Sequence, residues 1–367
     1  MKILCDRNQL QEAFSFVAGI AAQKTPKPIL QHVLLDAQKD RVTLYATDQE
    51  ILAQVSLDSV KVSKPGKALL PAKETSALLR ELSDPTLTLA GKEFRCTLES
   101  GGGSFVLVGD DPDKFPSPAK AMKDAESLAM PAGAFVDMVR KTIFSAAREE
   151  SRYMINGLLM DSRQDCLRLV GTDGRRLALN YFNFSGGEQP TIQAVVPCRA
   201  LQVLSRAVPE DSKEEIRISF TENQAGFQFG GFRLITQLLE NSFPDYEVVI
   251  PKSAETSCDL DRNLLERNVR QVAVLSSGDL RVIKLNFENQ SLELSAESAD
   301  KGRADQVMPV DVKGAGGALS FNPDYLLEAL KVADQDVVRL DMSDDSKPAK
   351  MTLGESFTYV LMPISGS

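Results

Sequence analysis

Val42-Thr43-Leu44-Tyr45-Ala46-Thr47-Asp48, Leu167-Arg168-Leu169-Val170-Gly171-Thr172-Asp173 and Leu292-Glu293-Leu294-Ser295-Ala296-Glu297-Ser298 are one strand written three times. Each copy puts an aliphatic residue at alternate positions, the period-2 signature of a half-buried strand. Successive copies lie 125 residues apart. Two further landmarks recur in the same order. Leu70-Pro71-Ala72-Lys73, Val196-Pro197-Cys198-Arg199 and Phe321-Asn322-Pro323-Asp324 each lead into a short helical pattern. Those patterns are carried by Leu78, Leu79 and Leu82, by Leu201, Leu204 and Val208, and by Leu326, Leu327 and Leu330. Phe105-Val106-Leu107-Val108, Phe232-Arg233-Leu234-Ile235 and Phe357-Thr358-Tyr359-Val360 close the units, spaced by 127 and 125 residues.

Working outward, each unit opens with a strand and an amphipathic helix, expected over 8–22, 132–147 and 261–275. Alternating strands, the second short helix and more strands follow. The period exceeds the ~20–50 residues of solenoid repeats, so each copy is a whole α+β domain large enough for its own core. The 367 residues divide into domains 1–123, 124–250 and 251–367. Polar, proline-bearing stretches mark the boundaries, Asp110-Asp111-Pro112-Asp113-Lys114-Phe115-Pro116-Ser117-Pro118 and Pro251-Lys252-Ser253-Ala254-Glu255-Thr256.

Several function classes drop out. No apolar run approaches the ~20 residues of a membrane span, and Met1-Lys2-Ile3-Leu4-Cys5-Asp6 lacks a signal peptide's apolar stretch. Cys5, Cys96, Cys166, Cys198 and Cys258 are odd in number, far apart and without a CxxC pair; they read as reduced thiols of a cytoplasmic protein. His32 is the sole histidine, which removes HExxH zinc chemistry and two-histidine acid/base mechanisms. It lies in the strand-like run Ile29-Leu30-Gln31-His32-Val33-Leu34-Leu35 and reads as structural. Gly101-Gly102-Gly103-Ser104 joins two strand-like runs as a hairpin turn and lacks the phosphate-loop pattern. Thr172-Asp173-Gly174-Arg175-Arg176 looks site-like, yet Asp48 and Ser298 at equivalent places point to a turn repeated by the fold. No catalytic constellation emerges, and no cofactor or metal is expected.

Net charge is −9, at first sight unfavourable for nucleic acid. The six helix candidates (8–24, 72–82, 132–148, 198–207, 261–275 and 322–333) nevertheless sum to +4, leaving −13 on the remainder. On one shared face they would form a mildly basic surface on an acidic body, tolerant of a phosphate backbone. Ordinary solvation of amphipathic helices gives the same numbers.

Three α+β repeats with these landmarks resemble the bacterial DNA sliding clamp family, the beta subunit of DNA polymerase III, over the whole chain. The resemblance is most specific at Arg152-Tyr153-Met154-Ile155-Asn156-Gly157, Gly171-Thr172-Asp173-Gly174-Arg175-Arg176-Leu177-Ala178, Phe243-Pro244-Asp245-Tyr246 and Tyr359-Val360-Leu361-Met362-Pro363. It implies a non-catalytic processivity factor: a head-to-tail homodimer whose six domains close a ring around double-stranded DNA, twelve helices lining the hole. It carries DNA contact onto Lys24, Arg148, Arg152 and Tyr153, and pore-lining charge onto Lys73, Arg80, Arg199, Arg206, Arg267 and Arg270. Glu149 departs from the amide usual there.

The resemblance also implies a groove for short peptides of the polymerase III alpha subunit, the clamp loader and other proteins with a clamp-binding motif. Its residues would be Ile155, Thr172, Gly174, Arg175, Leu177, Pro244, Val249, Val360 and Met362, with Thr172 and turn backbone offering hydrogen bonds. Glu247-Val248 stands where basic residues are common, and the terminal arginine of many members is absent. Phe105 and Leu107 would meet Val274 and Leu275 of a second subunit; the same apolar residues could instead be intra-domain core. Two other readings compete, a clamp-fold scaffold that no longer encircles DNA and an acidic α+β enzyme.

Overall fold

The computed structural model describes residues 1–21, 25–116, 122, 125–148, 156–240, 243–276, 281–288 and 290–364. The first repeat runs β1 (Lys2–Asp6), α1 (Arg7–Ala18), β2 (His32–Ala37), β3 (Val42–Thr47), β4 (Ile51–Leu57), β5 (Lys61–Lys64) and β6 (Gly66–Pro71). It ends with α2 (Ala72–Glu81), β7 (Thr86–Lys92), β8 (Arg95–Ser100) and β9 (Gly103–Val108). The second runs β10 (Glu126–Pro131), α3 (Ala132–Thr142), β11 (Gly157–Ser162), β12 (Cys166–Thr172), β13 (Arg176–Asn183) and β14 (Ile192–Pro197). Its second half is α4 (Cys198–Ala207), β15 (Glu215–Phe220), β16 (Gln224–Phe229) and β17 (Phe232–Gln237). The third runs β18 (Thr256–Asp261), α5 (Arg262–Ala273), β19 (Ile283–Glu288), β20 (Ser291–Ser298), β21 (Gly302–Pro309), β22 (Asp311–Gly314) and β23 (Gly317–Phe321). It closes with α6 (Pro323–Val332), β24 (Val337–Met342), β25 (Ala349–Thr352) and β26 (Phe357–Leu361).

The strand-to-helix junctions are written locally. Asp6 accepts from the Gln9 amide at 2.9 Å and Asp261 from the Leu264 amide at 2.7 Å, capping α1 and α5. Asn322 caps α6 at the Asp324 amide (2.9 Å), with Pro323 in the first turn. The first helix of each repeat stops before the sequence-expected end. Gly19, costly inside a helix, follows α1 at once. α3 tightens into a 3₁₀ turn, Ile143–Ser145, where the Thr142 and Ser145 hydroxyls bond back to the Met138 and Thr142 carbonyls.

The chain divides into two compact units, Met1–Val136 with Arg199–Leu239, and Asp137–Cys198 with Glu240–Ser367. The first holds a five-stranded sheet, β5-β1-β7-β8-β9, and an eight-stranded one, β10-β15-β16-β17-β4-β3-β2-β6. The second holds a nine-stranded sheet, β14-β11-β12-β13-β26-β25-β24-β18-β22, and a four-stranded one, β21-β20-β19-β23. These partitions differ from the sequence repeats because the sheets run across repeat boundaries. β17 of the second repeat pairs antiparallel with β4 of the first, Phe232 opposite Val55 through Thr236 opposite Ile51. β26 of the third pairs with β13 of the second, Phe357 opposite Asn180 through Leu361 opposite Arg176. Both seams have five pairs and share one register, since Phe232 and Phe357 are equivalent and so are Val55 and Asn180.

In the first unit α1 buries Leu10, Ala13, Phe14 and Val17 against β3 and β4, and Phe16 meets Phe232 edge-on at 5.1 Å. In the second, α5 and α6 pack together and bury Leu265, Val269, Val272, Leu326 and Leu330 with Leu285, Phe287, Leu294 and Phe321. Each such side chain contributes about 1.5–3 kcal/mol. All five cysteines are unpaired and buried. Burial pushes the Cys5, Cys198 and Cys258 thiols up to about 12 and Cys96 to about 11. Among the described residues no helix is long and apolar enough to cross a membrane.

Candidate functional site

The helix cations prove unequal. Lys141 is buried, its Nζ 2.5 Å from Asp137 and bonded to Asp334, so it offers nothing to a ligand. Arg140 bonds the same two carboxylates, at 2.5 and 3.4 Å. Arg199 is tied to Asp48 and donates to the Ile20 carbonyl at 2.9 Å. Arg270 is paired with Glu266 at 2.5 Å, and Arg148 stands 3.7 Å from Glu328. Lys73, Arg80, Arg206 and Arg267 are exposed and, among the described residues, form no ion pair. Three of these line a cavity of about 790 Å³ in the first unit: Lys73 and Arg80 on α2, and Arg206 on α4. Glu12, Phe16, His32 and Phe232 share its wall. The His32 ring Nδ1 lies 3.2 Å from the Pro28 carbonyl, a structural contact. Lys24, Glu149, Arg152 and Tyr153 lie outside the described residues. Among the described residues no group of three or more His, Cys, Asp or Glu could hold a metal ion.

The groove candidates gather on the turn between β12 and β13 and on β26. Asp173 closes the turn as its repeat partner Asp48 does. Asp173 Oδ1 accepts from the Arg175 and Arg176 amides at 3.0 and 3.1 Å, and Asp48 Oδ1 from the Glu50 and Ile51 amides at 3.0 and 2.7 Å. Gly174 takes φ +82°, which a side chain would strain. The Thr172 hydroxyl donates to the Arg176 carbonyl at 2.7 Å and accepts from the Gly174 amide at 3.1 Å, bracing the turn. Leu177 and Val360 are buried opposite each other across the seam. Met362, 43% exposed, follows, its amide bonded to the Arg175 carbonyl at 2.9 Å. Gly174 and Arg175 are exposed beside it. Ile155 lies outside the described residues.

Beneath the turn lies a cation that sequence reasoning did not single out. Arg176, 6% exposed, bonds Asp173 at 3.0 Å, the Phe144 carbonyl at 2.8 Å and the Glu328 carboxylate. Its guanidinium also stacks 4.2 Å from the Tyr325 ring centroid. Repeat two supplies Phe144 and Asp173, repeat three Tyr325 and Glu328, so one side chain joins both.

Pro244 and Val249 flank or belong to a 3₁₀ turn, Tyr246–Val249, capped by Asp245 at the Glu247 amide (3.2 Å). Tyr246 fastens it to β11, donating to buried Asp161 at 2.6 Å. Arg163 bonds Asp161 at 2.8 Å and Glu247 at 2.7 Å, and Arg168 also reaches Glu247 at 2.7 Å. Burial would raise the Asp161 carboxyl, but bonds from Tyr246, Arg163 and Gln193 and the Arg163 charge outweigh it and hold it below the usual range. The Arg163 hydrogen bond and charge, with Arg168 adding to them, hold Glu247 low as well. The Pro-Asp-Tyr motif was visible in the sequence; its partners 78 to 85 residues upstream were not.

β9 is an edge strand of its sheet. Phe105 is 37% exposed and Leu107 buried, while Val106 and Val108, passed over in the sequence, are 58% and 64% exposed. Val274 is exposed just past α5, and Leu275 is half-buried.

Models of the DNA polymerase III beta subunit family match the chain throughout: its N-terminal domain over residues 1–123, central domain over 129–245 and C-terminal domain over 247–365. The beta sliding clamp of Chlamydia muridarum is 29% identical over 365 residues, 99% of each chain. The solved sliding clamp of Bartonella birtlesii, bound to griselimycin, superposes over 100% of both chains with a TM-score of 0.93 at 27% identity. That of Bacillus subtilis shares the fold over 100% of both chains, TM-score 0.93 at 24% identity. With its three domains matched in order, the chain belongs to the DNA polymerase III beta subunit family, the bacterial sliding clamps, and serves DNA replication as that family's non-catalytic processivity factor.

Proposed function

We propose that two copies of the chain close head to tail into a ring that encircles double-stranded DNA without reading its sequence. The ring, acting in the cytoplasm, tethers the polymerase III alpha subunit, the clamp loader and other proteins bearing a clamp-binding peptide. Lys73, Arg80, Arg206 and Arg267, with Lys24, Arg148, Arg152 and Tyr153, would face the phosphates. Arg199 and Arg270 contribute less because carboxylates already hold them. The peptide would lie along Thr172, Gly174, Arg175 and Met362, over Leu177 and Val360, with Ile155, Pro244 and Val249 completing the walls. The three domains 1–123, 124–250 and 251–367 are the repeating unit of this ring.

The observation that carries the ring is the seam register. Two seams join successive repeats within the chain, β17 to β4 and β26 to β13, in one register. Continuing it leaves β9 to meet β21 of a second copy. Leu294 pairs with Gln306 as Leu44 pairs with Val55 and Leu169 with Asn180. The rule therefore sets Phe105 opposite the partner subunit's Gln306, Val106 opposite the partner's Asp305 and Leu107 opposite the partner's Ala304. β9 and β21 are both edge strands, open templates for continuing a sheet.

Light scattering should give twice the 40.1 kDa chain mass. Val106→Asp, placing a carboxylate against Asp305, should yield monomer, and Val106→Lys should keep the dimer. The loaded protein should stay on circular DNA and leave on linearisation. Equal behaviour of the two Val106 variants would overturn the register, and retention on linear DNA would overturn encirclement.

A further inference from the structure

We infer that Glu247 sets the charge preference of the peptide groove, by cancelling Arg163 and Arg168 so that the wall formed by Tyr246–Val249 discriminates neither acidic nor basic partner residues. The inference deepens the groove reading above and rests on it.

Asp161, Arg163, Arg168 and Glu247 are bonded to one another and their four charges sum to zero, while the exposed Asp245 that caps the turn and the exposed Arg175 along the peptide path add one charge of each sign. One Glu247 carboxylate oxygen receives both guanidinium groups, each at 2.7 Å. Asp161, 1% exposed, is spent on Tyr246, Arg163 and Gln193 and leaves nothing for a ligand. Arg163, Arg168 and Glu247 are accessible, with side chains 36%, 28% and 52% exposed, so a nearby ligand charge would be felt. Beside them the wall presents Val248 at 75% and Val249 at 44% exposure. A neutral charge cluster beside exposed valines selects an apolar peptide segment and ignores the charge of its flanks. Balanced charges at short range nearly cancel within a few ångströms in water, whereas an unbalanced one acts out to roughly the Debye length, about 8 Å at physiological salt.

Removing one member unbalances the cluster with a chosen sign. Glu247→Gln leaves a net positive wall; Arg168→Gln leaves a net negative one. Three fluorescein-labelled synthetic peptides with the same Leu and Phe anchors serve as probes, one with neutral flanks, one with an Asp and one with a Lys beside the anchors. Anisotropy titration of the full chain should find all three within two-fold. Glu247→Gln should prefer the Asp peptide over the Lys peptide by about two- to five-fold, and Arg168→Gln the reverse, the range of exposed ion pairs. Both preferences should fade in 1 M salt. General loosening of the wall would weaken all three peptides alike and could not produce preferences of opposite sign. Wild-type discrimination between the charged peptides, or variants without opposite preferences, would overturn the inference while leaving the groove standing. Failure of the wild type to bind the neutral peptide would instead overturn the groove reading itself.

Discussion

Replacing Arg176 with methionine tests whether one buried cation holds the groove turn and the seam between the second and third repeats. The substitution keeps the side chain's length and removes its charge and donors. It takes away the bonds to Asp173 (3.0 Å), to the Phe144 carbonyl (2.8 Å) and to Glu328, and the stacking on Tyr325. Breaking a fully buried ion pair costs about 3–5 kcal/mol because the partner stays charged and unpaired. Here the partners are less buried, Asp173 at 16% and Glu328 at 35% exposure, and water compensates part of the loss. Asp173 also retains its bonds to the turn amides. The expected cost is therefore about 2–4 kcal/mol. At about 2–4 °C per kcal/mol for a unit of 150–250 residues, the unfolding transition of the second unit should drop by about 4–16 °C. Calorimetry of Arg176→Met, of Glu328→Met and of the double variant closes the cycle. An apolar pair of similar volume is often nearly neutral, so the double variant should recover most of the loss. A single-variant cost under 1 kcal/mol, or a double variant costing the sum of the two, would refute the account of Arg176 as an electrostatic joint.

Three further outcomes are expected. Met362→Ala, at a half-exposed side chain, should weaken a Leu/Phe-anchored peptide by about 1 kcal/mol, roughly five-fold, without moving the unfolding temperature; Leu177→Ala should cost about 2–4 kcal/mol of stability, since that side chain is buried. Changing Lys73, Arg80 and Arg206 together to Gln should flatten the salt dependence of DNA retention, by about 0.9 in log–log slope for each phosphate no longer neutralised, and an unchanged slope would move the DNA face elsewhere. Asp161 and Glu247 are both held below their ordinary values of 3.8 and 4.5, so the stability they give the Tyr246–Val249 turn is complete above those values and lost as pH falls through the lower folded-state ones. Hydrogen exchange should accordingly show these amides protected at pH 5 and released in stronger acid, with a smaller step in Glu247→Gln; equal steps would remove Glu247 from the latch.

The repeats, the alternating strands and both helices of each repeat were legible because periodicity is local: a strand or helix announces its buried face within a few residues. The Asx turns at Asp48 and Asp173 were legible for the same reason. Pairing across the chain was not. Arg199 and Asp48 are 151 residues apart, and Arg176 and Glu328 are 152. Which carboxylate reaches which guanidinium depends on strand register that composition does not encode. The charge sum over the helices suffers accordingly. It counts Lys141 as a surface cation, although the side chain is buried between two aspartates. The valines of β9 escape notice because the conspicuous Phe105 and Leu107 lie on the other face of the strand.

A chain of three repeats has two internal seams and necessarily leaves one half-seam open at each end, β9 in the first repeat and β21 in the third. Both open edges carry exposed valines, Val106 and Val108 on one and Val307 on the other. Long apolar edges left bare invite uncontrolled strand pairing. Neither proline nor charge interrupts 103–108, whereas β21 carries Arg303 and Asp305 within the strand, so β9 is the edge that most needs a cover. Pairing one edge with the other on a second copy covers both, and the contact is heterologous: different surfaces meet. Such contacts either close after a fixed number of copies or grow into filaments. The proposed ring requires closure at two, so the scattering mass should plateau at two chains as concentration rises. A mass that climbs beyond it would make the seam a polymer joint and sever the link between this register and a ring on DNA.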